Sequence, residues 1–417
     1  MLRIVLIYVF TLILFFDTQN ARAQSVRTDI DSLLLLREDF ITANLLIVSP
    51  GNDGYSWLGH CALRMECPTF GLDYCFTFDV NTSTATTDFL RFLTGKSSAG
   101  IIAKDTKNFL KGYQDEGRGV MQYTLNMTPR EKLRMWQQLD EYVKDGFSTQ
   151  FDFLNYNCSS MCFYTISNHL SDERLEVKKW PDVMMHGYVD LGLYATRNVP
   201  WIQFVLSAII GTKVDEQILK EQCLAPEIMR EVMANAVFVT ADGTERPALL
   251  GAPRQLTSQT LILTSSWLTP LRLSILLLVM TAFFTLCQWL WGWRSVVKKI
   301  DVAFLVVQAL LGVLLLYLVI ICRLFGGHHW NWCLLIFSPL PLMVWLCSRR
   351  RVWYHYLTLF YGGILILMAI AAPLLTTQLI APHRILAVAI AIRCLSCAIL
   401  HILKDFNPIP HNLSLHK

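Results

Sequence analysis

The sequence predicts a mixed α/β domain exported across a membrane, followed by an all-α bundle of five membrane spans. Three observations carry that prediction. Hydrophobic residues fill 53% of the 417 positions and charged residues only 16%, whereas soluble domains carry about a quarter charged residues. The N-terminus has the pattern of a secretory signal. The hydrophobic period also changes near residue 265, from short alternating runs to long unbroken apolar ones.

The signal is predicted from Arg3, the apolar core IVLIYVFTLILFF and the small-residue site Ala21-Arg22-Ala23 before Gln24. Residues 1–23 are therefore expected to be removed, and residues 24–265 to form the exported domain. Residues 266–404 hold five apolar segments, about 269–291, 302–322, 332–347, 354–375 and 385–403. Each approaches the roughly 20 residues that a spanning helix needs. The third is the shortest and contains Pro339 and Pro341, so a kink is expected there. Basic residues cluster after the first span (Arg294, Lys298, Lys299), after the third (Arg349, Arg350, Arg351) and after the fifth (Lys404). The positive-inside rule puts these loops and the tail 405–417 in the cytoplasm, and the preceding domain outside.

Within the exported domain, TDIDSLLLLREDFI reads as a helix and NLLIVS (44–49) as a short buried strand. CALRM and the alternating LDYCFTFDV read as two more strands. TTDFLRFL is a short helix, and RGVMQYTLNM a strand. Thr128-Pro129-Arg130-Glu131 is a capping box with proline at the first helical position, opening EKLRMWQQLDEYVK. MCFYTISNHL is a helix that starts near Cys158, and PWIQFVLSAII (200–210) is too short to span and reads as a core or membrane-surface helix. The net charge of +4 and the absence of a basic stripe speak against a nucleic-acid partner.

The chemistry concentrates in three stretches. SPGNDGYSWLGHCALR carries Gly51, Gly54 and Gly59 on a tight path to His60, at the start of a strand. Asp79 closes LDYCFTFDV. Asn157-Cys158-Ser159 stands at a helix start, where the macrodipole favours a thiolate. An imidazole would activate that thiol further, and His60 is the best-placed candidate. Asp79 or Thr77 would orient the ring, and Ser159 with backbone N–H groups of the helix start would form an oxyanion hole. Other readings stand beside this one. Cys158 and Cys162 share a helix face, where a bridge is disfavoured, and both are ordinary buried thiols on the plainest reading. Cys67 and Cys75 could pair across a hairpin. A zinc site from His60, Cys61, Cys67 or Cys75 has no supporting ligand spacing, so neither metal nor cofactor is expected.

SPGNDGYSWLGHCALRM, LDYCFTFDV, GYQDEGRGVMQYTLNMTPREK and NYNCSS, in that order, resemble the successive signatures of the Lnb-type N-terminal periplasmic domain. Leu58 stands where a phenylalanine is usual before Gly-His, and CFTFDV keeps only the Phe78-Asp79 part of the usual strand. The five apolar segments resemble the attached membrane domain. The resemblance implies a bacterial inner-membrane lipoprotein N-acyltransferase with its N-terminal domain in the periplasm. Its acyl donor would be a membrane phospholipid and its acceptor a diacylglyceryl lipoprotein. It implies Cys158 as nucleophile, forming a thioester, and His60 as general base. His before Cys, with Cys opening a helix, is also similar to circularly permuted papain-like folds. That gives an α+β papain-like domain ahead of the spans. Arg64, Trp201, His328 and Trp330 are candidate substrate or lipid contacts, with interfacial anchoring the plainer role for His328 and Trp330. Two other functions fit the residues: a Cys–His amidase or peptidase acting on cell-wall peptide, and a non-enzymatic membrane scaffold.

Overall fold

The computed structural model describes residues 40–52, 54–80, 97–151, 156–182, 188–210, 225–262, 267–321, 330–347, 351–376 and 378–406. The expected signal and the helices in TDIDSLLLLREDFI and TTDFLRFL lie outside these residues. The chain divides into two compact units. One holds the residues before 199 and those from 216 to 264; the other holds 199–215, 265–320 and the residues from 328 on.

The first unit is built on an antiparallel sheet. Strand β1 (Thr42–Val48) is followed by β2 (His60–Cys67), β3 (Leu72–Val80) and β4 (Ser98–Asp105). Helix α1 (Thr106–Asp115) leads to β5 (Val120–Leu125), and α2 (Pro129–Lys144) to β6 (Ser148–Gln150). Helix α3 is Cys158–Asn168. Strands β7 (Glu173–Val177), β8 (Ala236–Thr240) and β9 (Glu245–Pro247) form a small second sheet, and β10 (Leu249–Thr257) returns to the large one. The large sheet runs β10-β5-β1-β2-β3-β4-β6.

Each expected strand around the site forms for the reason its pattern gives. In β1 and β2, Leu45, Leu46, Leu63 and Met65 are fully buried, because both faces of the sheet are covered. Leu46, Val48, Ala62, Cys75 and Val120 pack with Phe109 of α1 on one face. Helix α3 packs on β2 and β3 from the other. The capping box of α2 forms as its sequence dictates: Thr128 N–H donates to Glu131 at 2.8 Å, and Glu131 N–H donates to the Thr128 hydroxyl. The sequence reading missed β4, α1 and the strands β6 to β10. SAGIIAKD in β4 lacks the clean alternation that marked β3, and β10 (LLGAPRQLT) is largely exposed, so packing with neighbouring strands decides both.

The Cys67–Cys75 pairing that the sequence left open does not form. The hairpin register sets Cys75 opposite Arg64 and Cys67 opposite Leu72; both thiols are free and buried. Cys75 instead contacts the Thr106 hydroxyl at 3.3 Å, and burial pushes its thiol up to about 12.

The second unit is helical. Pro270–Leu290, Arg294–Ile320, Trp353–Leu375 and Ala381–Leu403 are long and apolar enough to cross a membrane. The third predicted span is instead two short helices, Cys333–Ile336 and Leu340–Cys347. Pro339 cannot donate a backbone hydrogen bond and disfavours helix in the residue before it. Carbonyls at the break find side-chain donors. Gln308 Nε2 donates to Ile336 O at 2.8 Å, and the Tyr361 hydroxyl to Leu335 O at 2.6 Å. A break at membrane depth is tolerated only when protein groups satisfy it in this way. The helix Pro200–Ile210 packs within this unit: Asn331 Nδ2 donates to Ala208 O at 2.6 Å, and Phe204 stacks on His383.

Candidate active site

The site is assembled where a tight loop meets a helix start. The loop after β1 closes through Gly51 N–H and Gly59 N–H, both donating to Ser56 O. Gly59 has φ 87°, and a Cβ there would sit 2.5 Å from Val48 O. Only glycine tolerates that combination. The turn delivers His60 as the first residue of β2, opposite Val48, the last residue of β1.

The sequence NCSS acquires a physical meaning at α3. Asn157 is the N-cap: its side-chain oxygen accepts from Ser159 N–H at 2.8 Å and Ser160 N–H at 3.0 Å. The Ser160 hydroxyl accepts in return from Asn157 N–H at 3.0 Å. This reciprocal box fixes Cys158 at the first helical position, next to the positive end of the helix dipole. Replacing Asn157 with alanine is therefore expected to lower stability by about 1 kcal/mol. Chemical denaturation of the full-length protein in detergent, following the first unit, would detect it.

Four groups converge on the thiol. His60 Nε2 shares a 2.5 Å hydrogen bond with Thr77 Oγ1 and lies 3.5 Å from Asp79 Oδ1. That leaves Nδ1 to face Cys158, with which the imidazole interacts by hydrogen bond and charge. Thr77 is thus the immediate partner of the ring. Asp79 is the more distant one, with its other oxygen 3.7 Å from Lys104 Nζ. The fourth group is Cys61, which the sequence reading weighed only as a zinc ligand. Its fully buried thiol lies 3.4 Å from the Ser159 hydroxyl, which is itself 4.0 Å from the Cys158 sulfur, so Cys61 stands close enough to act on that sulfur. Cys61 follows His60 directly on a strand, so it projects to the opposite face, where α3 sits. That adjacency was the available signal.

The electrostatics agree with this geometry. The Cys61 hydrogen bond is the largest influence on Cys158. Together with the charge and hydrogen bond of His60, it outweighs burial and holds the thiol well below its usual range. For His60, burial is the largest single influence and opposes protonation. The adjacent Cys158 sulfur, followed by Asp79, outweighs it and raises the imidazole above its ordinary 6.5. Depressed thiol and raised imidazole together describe a thiolate–imidazolium pair.

Some expected roles change. The Ser159 N–H is held by the Asn157 cap, and its buried hydroxyl lies 3.4 Å from the Cys61 sulfur and 4.0 Å from that of Cys158. The N–H the cap leaves aside is that of Cys158. Arg64 is no lipid contact. It is buried, with Nε and Nη2 each 2.7 Å from Asp73 oxygens and Nη1 2.7 Å from Gln122. Asp73→Ala is expected to cost roughly 2 kcal/mol by stranding that guanidinium, read as a lowered denaturation midpoint. Trp201 and Trp330 belong to the helical unit, the first donating its indole N–H to Leu268 O at 2.8 Å, the second 60% exposed. His328 lies outside the described residues. Among the described residues, no group of His, Cys, Asp and Glu side chains is placed to hold a metal ion.

These features define a membrane protein whose sheet-and-helix N-terminal domain carries a half-buried thiol–imidazole site. Residues 37–187 match the Lnb N-terminal periplasmic domain and residues 262–405 match the Lnb transmembrane domain. The two stretches together take up well over half of the chain, and the chain belongs to the Lnb family. It is thus a membrane protein of lipoprotein maturation with a periplasmic domain. No curated protein and no solved structure matches it.

Proposed function

We propose that this protein is a lipoprotein N-acyltransferase working through a thioester on Cys158. The observation that carries the reading is Cys158 at the capped start of α3, with its thiol depressed beside a raised His60. The Cys158 thiolate attacks the ester carbonyl of a membrane phospholipid. A C–S bond forms, the C–O bond to glycerol breaks, and the imidazolium of His60 gives its proton to the departing glycerol oxygen. A lysophospholipid leaves. The α-amine of a diacylglyceryl-cysteine lipoprotein then attacks the thioester carbonyl. Its proton passes to His60, the C–S bond breaks, and an amide remains. Thr77 and then Asp79 hold the ring, and the Cys158 N–H is the backbone donor for the oxyanion.

The His-bearing strand β2 precedes the Cys-bearing helix α3; that order supports the mechanism, and the fold that goes with it is a permuted papain-like one. In the topology that accompanies it, the N-terminal domain is periplasmic, the broken pair Cys333–Cys347 is the third of five crossings, and the C-terminus is cytoplasmic. The aromatic residues Trp201 and Trp330 face lipid in it. The test is to incubate the full-length protein in phospholipid micelles and measure its intact mass. An acyl adduct on Cys158 that a diacylglyceryl peptide discharges is the expected result. Hydrolysis of cell-wall peptide with no lipid donor would replace this reading with the amidase one.

A further inference from the structure

We infer that the groove beside Cys158 holds the proximal part of the acyl chain carried on its sulfur, and that Ala99 sets how bulky a chain it admits. The inference rests on the acyl-transfer reading above. The groove has about 260 Å³ of empty space including its open mouth, and Cys158 is itself part of its lining. Phe78, Ala99, Phe147, Phe151 and Met161 supply most of the rest. Most of that space is the open mouth, so the enclosed room suits the first carbons of a single chain at most and not a whole diacyl lipid.

Strand parity places the groove. His60 and Thr77 share one side of the sheet, since Thr77 pairs with Ala62 and residues two apart on a strand point the same way. Cys61 and Phe78 therefore share the other side, where α3 packs. Ala99 pairs with Val80 on β3 and with Thr149 on β6, so it joins Phe78 on that side. The sulfur thus has the imidazole on one hand and an apolar trough on the other. An acyl group bonded to Sγ starts beside that trough, because Cys158 is part of its lining. The covalent bond, not the apolar character alone, specifies the occupant. Ala99 and Gly100 are the small residues among the aromatic side chains and Met161, and Ala99 is the one whose side chain lies on the Phe78 side, so a larger side chain there takes the volume the chain would use. Thr149 faces it from the adjacent strand.

The test compares two acyl probes on the full-length protein in detergent, reading the adduct on Cys158 by intact mass. 4-Nitrophenyl acetate delivers two carbons and does not need the groove; a dipalmitoyl phospholipid does. In Ala99→Leu the ratio of palmitoyl to acetyl adduct is expected to fall about tenfold or more. Thr149→Phe, on a short and partly exposed strand, fills the same space from the other side and is expected to do the same. An unchanged ratio in either variant that still takes up acetyl, or an equal loss of both adducts, overturns the groove assignment. Acetylation of Cys158 in the wild type with no palmitoyl adduct overturns the acyl-transfer reading itself, which separates the two failures.

Discussion

Replacing Cys158 with alanine is expected to reduce N-acylation of lipoproteins by about three orders of magnitude or more, because removing one member of a catalytic unit costs nearly as much as removing all of it. The thiol has no substitute nearby. Cys61 is fully buried and its pKa is raised well above the ordinary 9.0, by burial first and then by its hydrogen bond to Cys158, so it stays a thiol while Cys158 carries the charge. Cys162 is one turn further along α3 and fully buried among Phe163 and Ile166. Cys162→Ala should therefore leave acylation intact. The measurement is the mass of a reporter lipoprotein from cells carrying each variant at matched protein level. Full acylation with Cys158→Ala would sink the thioester mechanism and favour a scaffold.

Replacing His60 with glutamine is expected to cost about 10²–10⁴-fold in rate and to change the shape of the pH profile. The sign follows from the two shifts. Wild-type Cys158 is depressed, so activity is lost on the acid side only as pH falls through that low value. Wild-type His60 is raised above 6.5, so the imidazolium that protonates the leaving oxygen is lost as pH rises through the raised value. The profile is a bell. In His60→Gln the imidazolium no longer supports the thiolate, so the Cys158 pKa moves up, held only by the Cys61 hydrogen bonds. Residual activity should then climb with pH, and the alkaline fall should disappear. A variant profile that keeps both limbs would assign the falling limb to another group.

The bilayer-length apolar runs, the short apolar strand β1, the strand β2, the alternation of β3, the capping box of α2 and the order of His60 before Cys158 were all legible in the sequence. Each is a local pattern whose physics acts within a few residues. Three kinds of information were not local. Strand register decided that Cys67 and Cys75 face different partners, because a shift of one residue moves a side chain to the other face. Side-chain saturation decided that Arg64 is spent on Asp73 and Gln122 and that Ser159 serves the cap and Cys61, since a buried polar group must find its partner within reach. The choice of Thr77 as immediate support of the imidazole is a matter of one ångström between Thr77 at 2.5 Å and Asp79 at 3.5 Å.

The sequence by itself determined the exported α/β reading, the membrane bundle, the family and the pairing of Cys158 with His60, because residue type and spacing carry those constraints. Only the tertiary structure decided that Cys61 stands 3.4 Å from the Ser159 hydroxyl at the helix start, that the third apolar segment is two short helices whose carbonyls Gln308 and Tyr361 satisfy, and that Ala99 and Cys158 line one groove. These depend on which residues far apart in the chain are packed together, and no window of sequence contains that distance.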